Sequence, residues 1–143
     1  MNRLDDLLRE ADLLFLACPH TPETNKLIDA RALRLMKKSA FLVNTARGGI
    51  VDEEALVAAL REGEISGAGL DVFEEEPLPE SSPLWEMETV IITPHVAGGS
   101  VYRPGRVIDL FCENLSRYLA GSSLLNEVDR KLGYPRMDQR MGY

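Results

Sequence analysis

An arginine, a glutamate and a histidine stand in this sequence where a small anion could be held and protonated. Arg47 directly follows the apolar stretch Phe41-Leu42-Val43-Asn44 and precedes Gly48-Gly49, which leave it unobstructed. A guanidinium there can take a carboxylate through two parallel hydrogen bonds. Asp71 closes another apolar stretch, and Glu76 follows just before Pro77. His95 is held by Pro94 before it and given room by Gly98 and Gly99 after it. Together these groups could form an anion clamp with a His–carboxylate acid/base pair. Each also has a plainer use. An Arg after a strand is by default solvated or salt-bridged, a lone His is more often structural, and Glu74-Glu75-Glu76 reads as an exposed charged loop. Spacing alone leaves the function open.

The elements that must position these residues follow from periodicity. Leu4, Leu7, Leu8 and Ala11 recur at helical spacing. Leu13 to Ala17 is a continuous apolar run closed by Pro19, which predicts a strand buried on both faces. Asp29 can cap a helix carrying Leu33 and Met36 inward and ending on Lys37 and Lys38, where cations suit the helix dipole. Ala40 to Asn44 is a second buried strand. Asp52 caps the next helix, Glu53 and Glu54 fill its first turn, and Gly63 stops it. Gly67 to Asp71 and Val90 to Thr93 read as further strands. A helix from about Pro104 to Leu119 carries Val107, Ile108, Phe111, Leu115, Tyr118 and Leu119 on one stripe, and Gly121 and Ser122 close it.

Buried strands alternating with helices predict an α/β fold, a parallel doubly wound sheet with right-handed crossovers, here partial with about four strands. In such sheets ligands gather beyond the carboxyl ends of the strands. Those ends are the loops that hold Arg47, Glu76 and His95. The predicted organisation is a sheet domain over 1–121 and a tail or docking arm over 122–143.

Composition narrows the class. Of 143 residues, 45% are hydrophobic and 27% charged, as in an ordinary globular chain. Sixteen Lys and Arg against 23 Asp and Glu give a net charge of −7, which provides no footprint for nucleic acid or an anionic membrane. The longest apolar run, Leu13 to Cys18, falls far short of the roughly 20 residues of a spanning helix. The acidic, amphipathic start does not read as a signal peptide. Cys18 and Cys112 have no disulfide or metal-site spacing, so both are expected to be buried free thiols in a reducing cytoplasm, and no metal site is predicted.

Three motifs, in order, carry a resemblance. Asn44-Thr45-Ala46-Arg47-Gly48-Gly49-Ile50-Val51-Asp52, Gly69-Leu70-Asp71-Val72-Phe73 with Glu76-Pro77, and Thr93-Pro94-His95 with Gly98-Gly99 resemble the D-isomer-specific 2-hydroxyacid dehydrogenase family from about Leu4 to Leu119. Asn126-Glu127-Val128-Asp129 is similar to that family's closing segment. The resemblance implies that NAD or NADP is the cofactor and that a small 2-oxo or 2-hydroxy acid is the substrate. It implies that Arg47 holds the substrate carboxylate and lies near the nicotinamide. His95 would be the acid/base at the carbonyl oxygen, and Glu76 its partner, since a nearby carboxylate favours the imidazolium. Asp71 would contact the nicotinamide side, and Cys18, Pro19, Thr45, Ala46 and Gly98 would line the rest of the cofactor cleft. The similar formate dehydrogenases carry Gln where this sequence has Glu76, so the carboxylate favours a substrate pair that needs a proton. His20 falls in a loop that varies in the family and reads as surface. Trp85 reads as packed under the Pro83-Leu84 loop.

One family feature is missing. No G-x-G-x-x-G occurs, although that motif normally provides the tight turn and helix N-terminus that grip the pyrophosphate. The chain therefore reads as the second half of the dinucleotide-binding domain plus the returning helix and tail, a truncated form. Weak or absent NAD(H) binding by the isolated chain is expected. Self-association is expected too, through the open edge of Leu13 to Cys18 or through helix 104–119. A non-catalytic cofactor-sensing or scaffolding relative, or an inactive fragment, is the alternative.

Overall fold

The computed structural model describes residues 3–135 and divides between Gly98 and Gly99 into two compact units. In the first, helix α1 (Arg3–Glu10) leads into strand β1 (Leu13–Leu16), then helix α2 (Ala30–Leu35) and strand β2 (Phe41–Asn44). A 3-10 turn at Gly48–Ile50, helix α3 (Glu53–Glu62), strand β3 (Gly67–Leu70), a second 3-10 turn at Pro83–Glu86 and strand β4 (Val90–Ile92) complete it. The four strands form one parallel sheet in the order β1-β2-β3-β4, with Leu14 beside Leu42, Leu42 beside Ala68, and Leu70 beside Ile92. This is the α/β sheet that the alternation of elements predicts.

The capping residues behave as their chemistry dictates. Asp29 accepts from the Ala32 N–H at 2.8 Å and Asp52 from the Ala55 N–H at 3.1 Å, each filling an orphan donor of the first turn. Gly63 ends α3 at φ +65°, in the left-handed region open to glycine. Helix α2 stops at Leu35, so Arg34 sits in its last turn, and Lys37 and Lys38 lie beyond it. Asp5 of α1 accepts from the two terminal guanidinium nitrogens, Nη1 and Nη2, of Arg31 in α2, at 3.1 and 2.5 Å.

Consecutive parallel strands with crossovers of one hand place successive helices on one face. That face holds the core: Leu8, Leu14, Leu33, Leu42, Leu56 and Leu70 are all buried. The opposite face differs from expectation. Leu13 (60% exposed), Phe15 (56%), Phe41 (48%) and Ile91 (72%) are uncovered, so β1 is buried on one side only, because α1, α2 and α3 serve a single face.

The second unit holds helix α4 (Arg103–Leu119) and the short antiparallel pair β5 (Val128–Asp129) and β6 (Tyr134–Pro135). Asn114 ties the returning chain to the helix, donating to the Leu125 carbonyl at 3.1 Å and accepting from its N–H at 2.7 Å. That tie groups α4 with the chain that follows it. The apolar stripe of α4 is exposed. Cys112 is exposed and Cys18 half-buried, both free, where burial was expected. The part of the docking arm at 136–143 lies outside the described residues. Among the described residues, no helix is long and apolar enough to cross a membrane.

Candidate functional site

The carboxyl end of β2 is shaped by Asn44, which is 1% exposed. Its amide donates to the Arg47 carbonyl at 3.0 Å and its Oδ1 accepts from the Ala46 N–H at 3.1 Å, which locks the turn that presents Arg47. Arg47 is exposed and donates through Nη1 to the Ala46 carbonyl at 2.6 Å. Gly48 lets this turn press on the next loop. A Cβ at that position would stand 1.8 Å from the Phe73 carbonyl oxygen.

That next loop follows β3 and carries Glu76. Its Oε1 accepts from the Phe73 N–H at 3.1 Å, and its Oε2 lies 2.7 Å from His95 Nδ1. The His95 hydrogen bond is the largest influence holding the Glu76 carboxyl below the ordinary carboxylate range; burial opposes it, and the Phe73 N–H and the Arg47 charge assist it. With Nδ1 engaged, His95 Nε2 has no hydrogen-bond partner among the described residues.

The loop after β4 is anchored by Asp71, which is 2% exposed. Its Oδ1 accepts from the Thr93 hydroxyl at 2.5 Å and the Val96 N–H at 2.9 Å, and its Oδ2 from the Ala97 N–H at 2.8 Å. Burial pushes this carboxyl up, but the Thr93, Ala97 and Val96 donors outweigh it and hold it below the ordinary range. His95 itself sits at φ +53°.

These loops, with the one after β1, border an open hollow of about 460 Å³ whose walls include Arg47, Gly48, Glu76, His95, His20 and Lys26. The structure thus gathers Arg47, Glu76 and His95 at one place. Cys18, Pro19, Thr45, Ala46, Asp71 and Gly98 follow the ends of the strands without lining that hollow. His20 is exposed, as expected of a surface residue, yet it stands in the wall. Its loop folds back through Thr24, whose hydroxyl donates to the Pro19 carbonyl at 2.8 Å. His20 Nε2 then lies 2.9 Å from Asn25 Oδ1, with its ring over Gly49. Lys26 is spent on Asp52 and Glu74, at 3.2 and 3.4 Å. Trp85 is half exposed rather than packed away, because Nε1 is drawn to the Pro79 carbonyl at 2.9 Å. It borders a second, apolar hollow of about 680 Å³ that shares Glu76 and His95. Among the described residues, no group of His, Cys, Asp and Glu could hold a metal ion.

The model of the D-isomer specific 2-hydroxyacid dehydrogenase NAD binding domain matches residues 1–97. The chain is 48% identical over 118 residues to a glyoxylate reductase of Thermofilum pendens, covering 82% of this chain and 35% of that protein. It is 48% identical over 129 residues to a glyoxylate reductase of Aeropyrum pernix, covering 90% and 38%. Among solved structures, a D-isomer specific 2-hydroxyacid dehydrogenase from Xanthobacter autotrophicus in complex with NADPH aligns with a TM-score of 0.84 and 44% identity, over 92% of this chain and 53% of that one. An NADPH-dependent glyoxylate/hydroxypyruvate reductase from Sinorhizobium meliloti in complex with NADP gives 0.82 and 33%, over 92% and 42%. The chain spans well under half the length of these curated relatives.

Proposed function

The chain belongs to the D-isomer specific 2-hydroxyacid dehydrogenase family, and on that premise we propose that it carries the catalytic half of an NAD(P)-dependent reductase of small 2-oxo acids. The observation that carries this reading is the 2.7 Å contact of His95 Nδ1 with Glu76 Oε2 in a hollow that Arg47 also lines. Bonding Nδ1 to a carboxylate fixes the ring and leaves Nε2 to exchange a proton with substrate. Arg47, exposed beside it, binds the substrate carboxylate through its fork of donors. When bound, the nicotinamide cofactor supplies the hydride that reaches the carbonyl carbon. His95 Nε2–H gives the carbonyl oxygen its proton, which completes the 2-hydroxy acid, and Glu76 stabilises the imidazolium that does so. The substrate carboxylate, charged before and after the reaction, stays paired with Arg47 throughout.

The donor set fits the nicotinamide end of such a cofactor. Thr45, Ala46, Asp71 and Gly98, with Cys18 and Pro19, follow the carboxyl ends of parallel strands, where this sheet type gathers its ligands. The glycine loop for the pyrophosphate is not within these 143 residues. We read the sheet unit as the second half of a Rossmann-type NAD-binding domain and the segment after residue 121 as a docking arm. The sheet ends at β1, whose Leu13 and Phe15 are uncovered, which supports assembly with a second chain through that edge or through α4.

The test adds a first half from a relative in trans and follows NADH oxidation with glyoxylate or hydroxypyruvate. Turnover that His95→Gln abolishes is expected, while the 143-residue chain alone binds NADH more weakly than about 1 mM, some 4 kcal/mol. Micromolar binding by the chain alone would overturn the half-cleft reading. Binding without turnover in the assembled protein favours a sensing or scaffolding relative. A mass that stays monomeric by light scattering at high concentration overturns the edge or helix assembly.

A further inference from the structure

We infer that Asp71 is a positioning residue that sets the backbone on both sides of His95 and so holds its ring against Glu76. The inference rests on the acid/base role proposed for His95. A histidine at φ +53° occupies the left-handed region, which side-chain-bearing residues seldom adopt and which persists only where surroundings over-determine it. His95 donates its own N–H to the Thr93 carbonyl at 3.1 Å, and the backbone on either side of it is held by one carboxylate. Upstream, Thr93 is hooked to the sheet by its N–H on the Leu70 carbonyl at 2.9 Å, and its hydroxyl donates to Asp71 Oδ1 at 2.5 Å. Downstream, the Val96 and Ala97 N–H groups donate to Asp71 Oδ1 and Oδ2 at 2.9 and 2.8 Å. Asp71 therefore clamps the chain two residues before His95 and the two residues after it.

The chemistry calls for a carboxylate. Three donors converge on a group that accepts at both oxygens and donates at neither. An asparagine of nearly the same size offers one acceptor oxygen, and its amide hydrogens would face an N–H donor. Asp71 is 2% exposed, so a misplaced donor there has no water to turn to. Nor is the clamp part of the sheet's own hydrogen bonding: the β3–β4 ladder pairs Ala68, Gly69 and Leu70 with Val90, Ile91 and Ile92, ahead of Asp71. The residue acts through His95 rather than on a reacting atom.

The test uses the 143-residue chain and NMR, without cofactor. In Asp71→Asn, the Val96 and Ala97 amides should exchange at least about tenfold faster, as loss of a bond to a charged acceptor implies. The low-field His95 Nδ1 proton signal should be lost, while ladder amides of Ala68 and Leu70 keep their protection. Thr93→Val, which removes one donor of three, should give an intermediate shift of the His95 signal. A Asp71→Asn protein that is less stable but keeps the His95 signal and both loop amides overturns the inference. If Asp71→Asn fails to fold, Thr93→Val decides: an unmoved His95 signal overturns the inference, and a shifted one supports it. The dehydrogenase reading fails separately, by absent turnover in the assembled protein with an intact clamp.

Discussion

Gly48 is the point where the Arg47 turn and the Glu76 loop meet, and replacing it by alanine should part them. The added Cβ would stand 1.8 Å from the Phe73 carbonyl oxygen, 1.9 Å from its carbon and 2.5 Å from the Glu74 nitrogen. All three are backbone atoms, so no rotamer change relieves the overlap. One loop must shift by more than an ångström. On one side Asn44 holds the turn, and on the other the Phe73 N–H is bonded to Glu76, so neither yields freely. Overpacking a well-filled site costs about 1–3 kcal/mol, and a backbone-on-backbone clash belongs at the top of that range. At about 4–8 °C per kcal/mol for a unit of this size, 3 kcal/mol lowers Tm by roughly 12–24 °C. Guanidinium unfolding, followed by Trp85 fluorescence and far-ultraviolet circular dichroism, measures the loss directly. Two glycines serve as controls. At Gly49 the added Cβ meets only the His20 ring, at 2.7 Å, and that side chain can swing aside by giving up Asn25. At Gly105, inside α4, nothing lies within 4 Å, so alanine there should stabilise the helix by up to about 1 kcal/mol. A Gly48→Ala loss below about 1 kcal/mol, or a Gly49→Ala loss as large, would refute the reasoning.

Further outcomes follow from the same contacts. The Glu76 carboxyl is held below its ordinary value of 4.5, so its stabilising contribution is present above that value and is lost as pH falls through the lower folded value. Glu76→Gln has no proton to take up, so its denaturation midpoint should fall less steeply than the wild type's below pH 4.5; parallel slopes would contradict the His95–Glu76 bond. Asp52→Ala removes the cap on Ala55 and the Lys26 contact, and should cost about 1–2 kcal/mol in a thermal melt. Asp52→Asn keeps the cap and loses only a surface ion pair, so it should cost under about 1 kcal/mol; equal losses would assign the effect to charge instead. Asn44→Ala leaves the Ala46 N–H without its partner and the Arg47 carbonyl with only the Ile50 N–H at 3.3 Å, and should cost about 1–3 kcal/mol by the same melt, whereas an unaffected Tm would show that the turn holds itself.

What the sequence makes legible here is whatever is settled within a few residues. Asp29, Asp52 and Gly63 declare their roles because a cap bonds three residues ahead and a left-handed stop needs no partner. The three site residues are legible as motif members, and their strand-end placement follows from alternation and a parallel sheet. What supports them is not legible, because it runs through space: Gly48 against Phe73, Asp71 across to Thr93, Val96 and Ala97, His20 over Gly49. Nothing in the spacing of those residues announces the contact. The miss at β1 has a different cause. Leu13-Leu14-Phe15-Leu16 is apolar at every position, and an all-apolar strand states that both faces meet something without saying what meets them. The sheet's own helices meet Leu14 and Leu16; Leu13 and Phe15, with Phe41 and Ile91, form a second face that this unit leaves uncovered. Apolar pattern is thus a record of the surroundings a strand is built for, and exposure in the structure shows which of those surroundings the strand's own unit provides. At β1 it provides one face of two, and a cofactor cleft at strand ends needs the sheet to continue past that edge, which is why the half-cleft reading and the open edge stand or fall together.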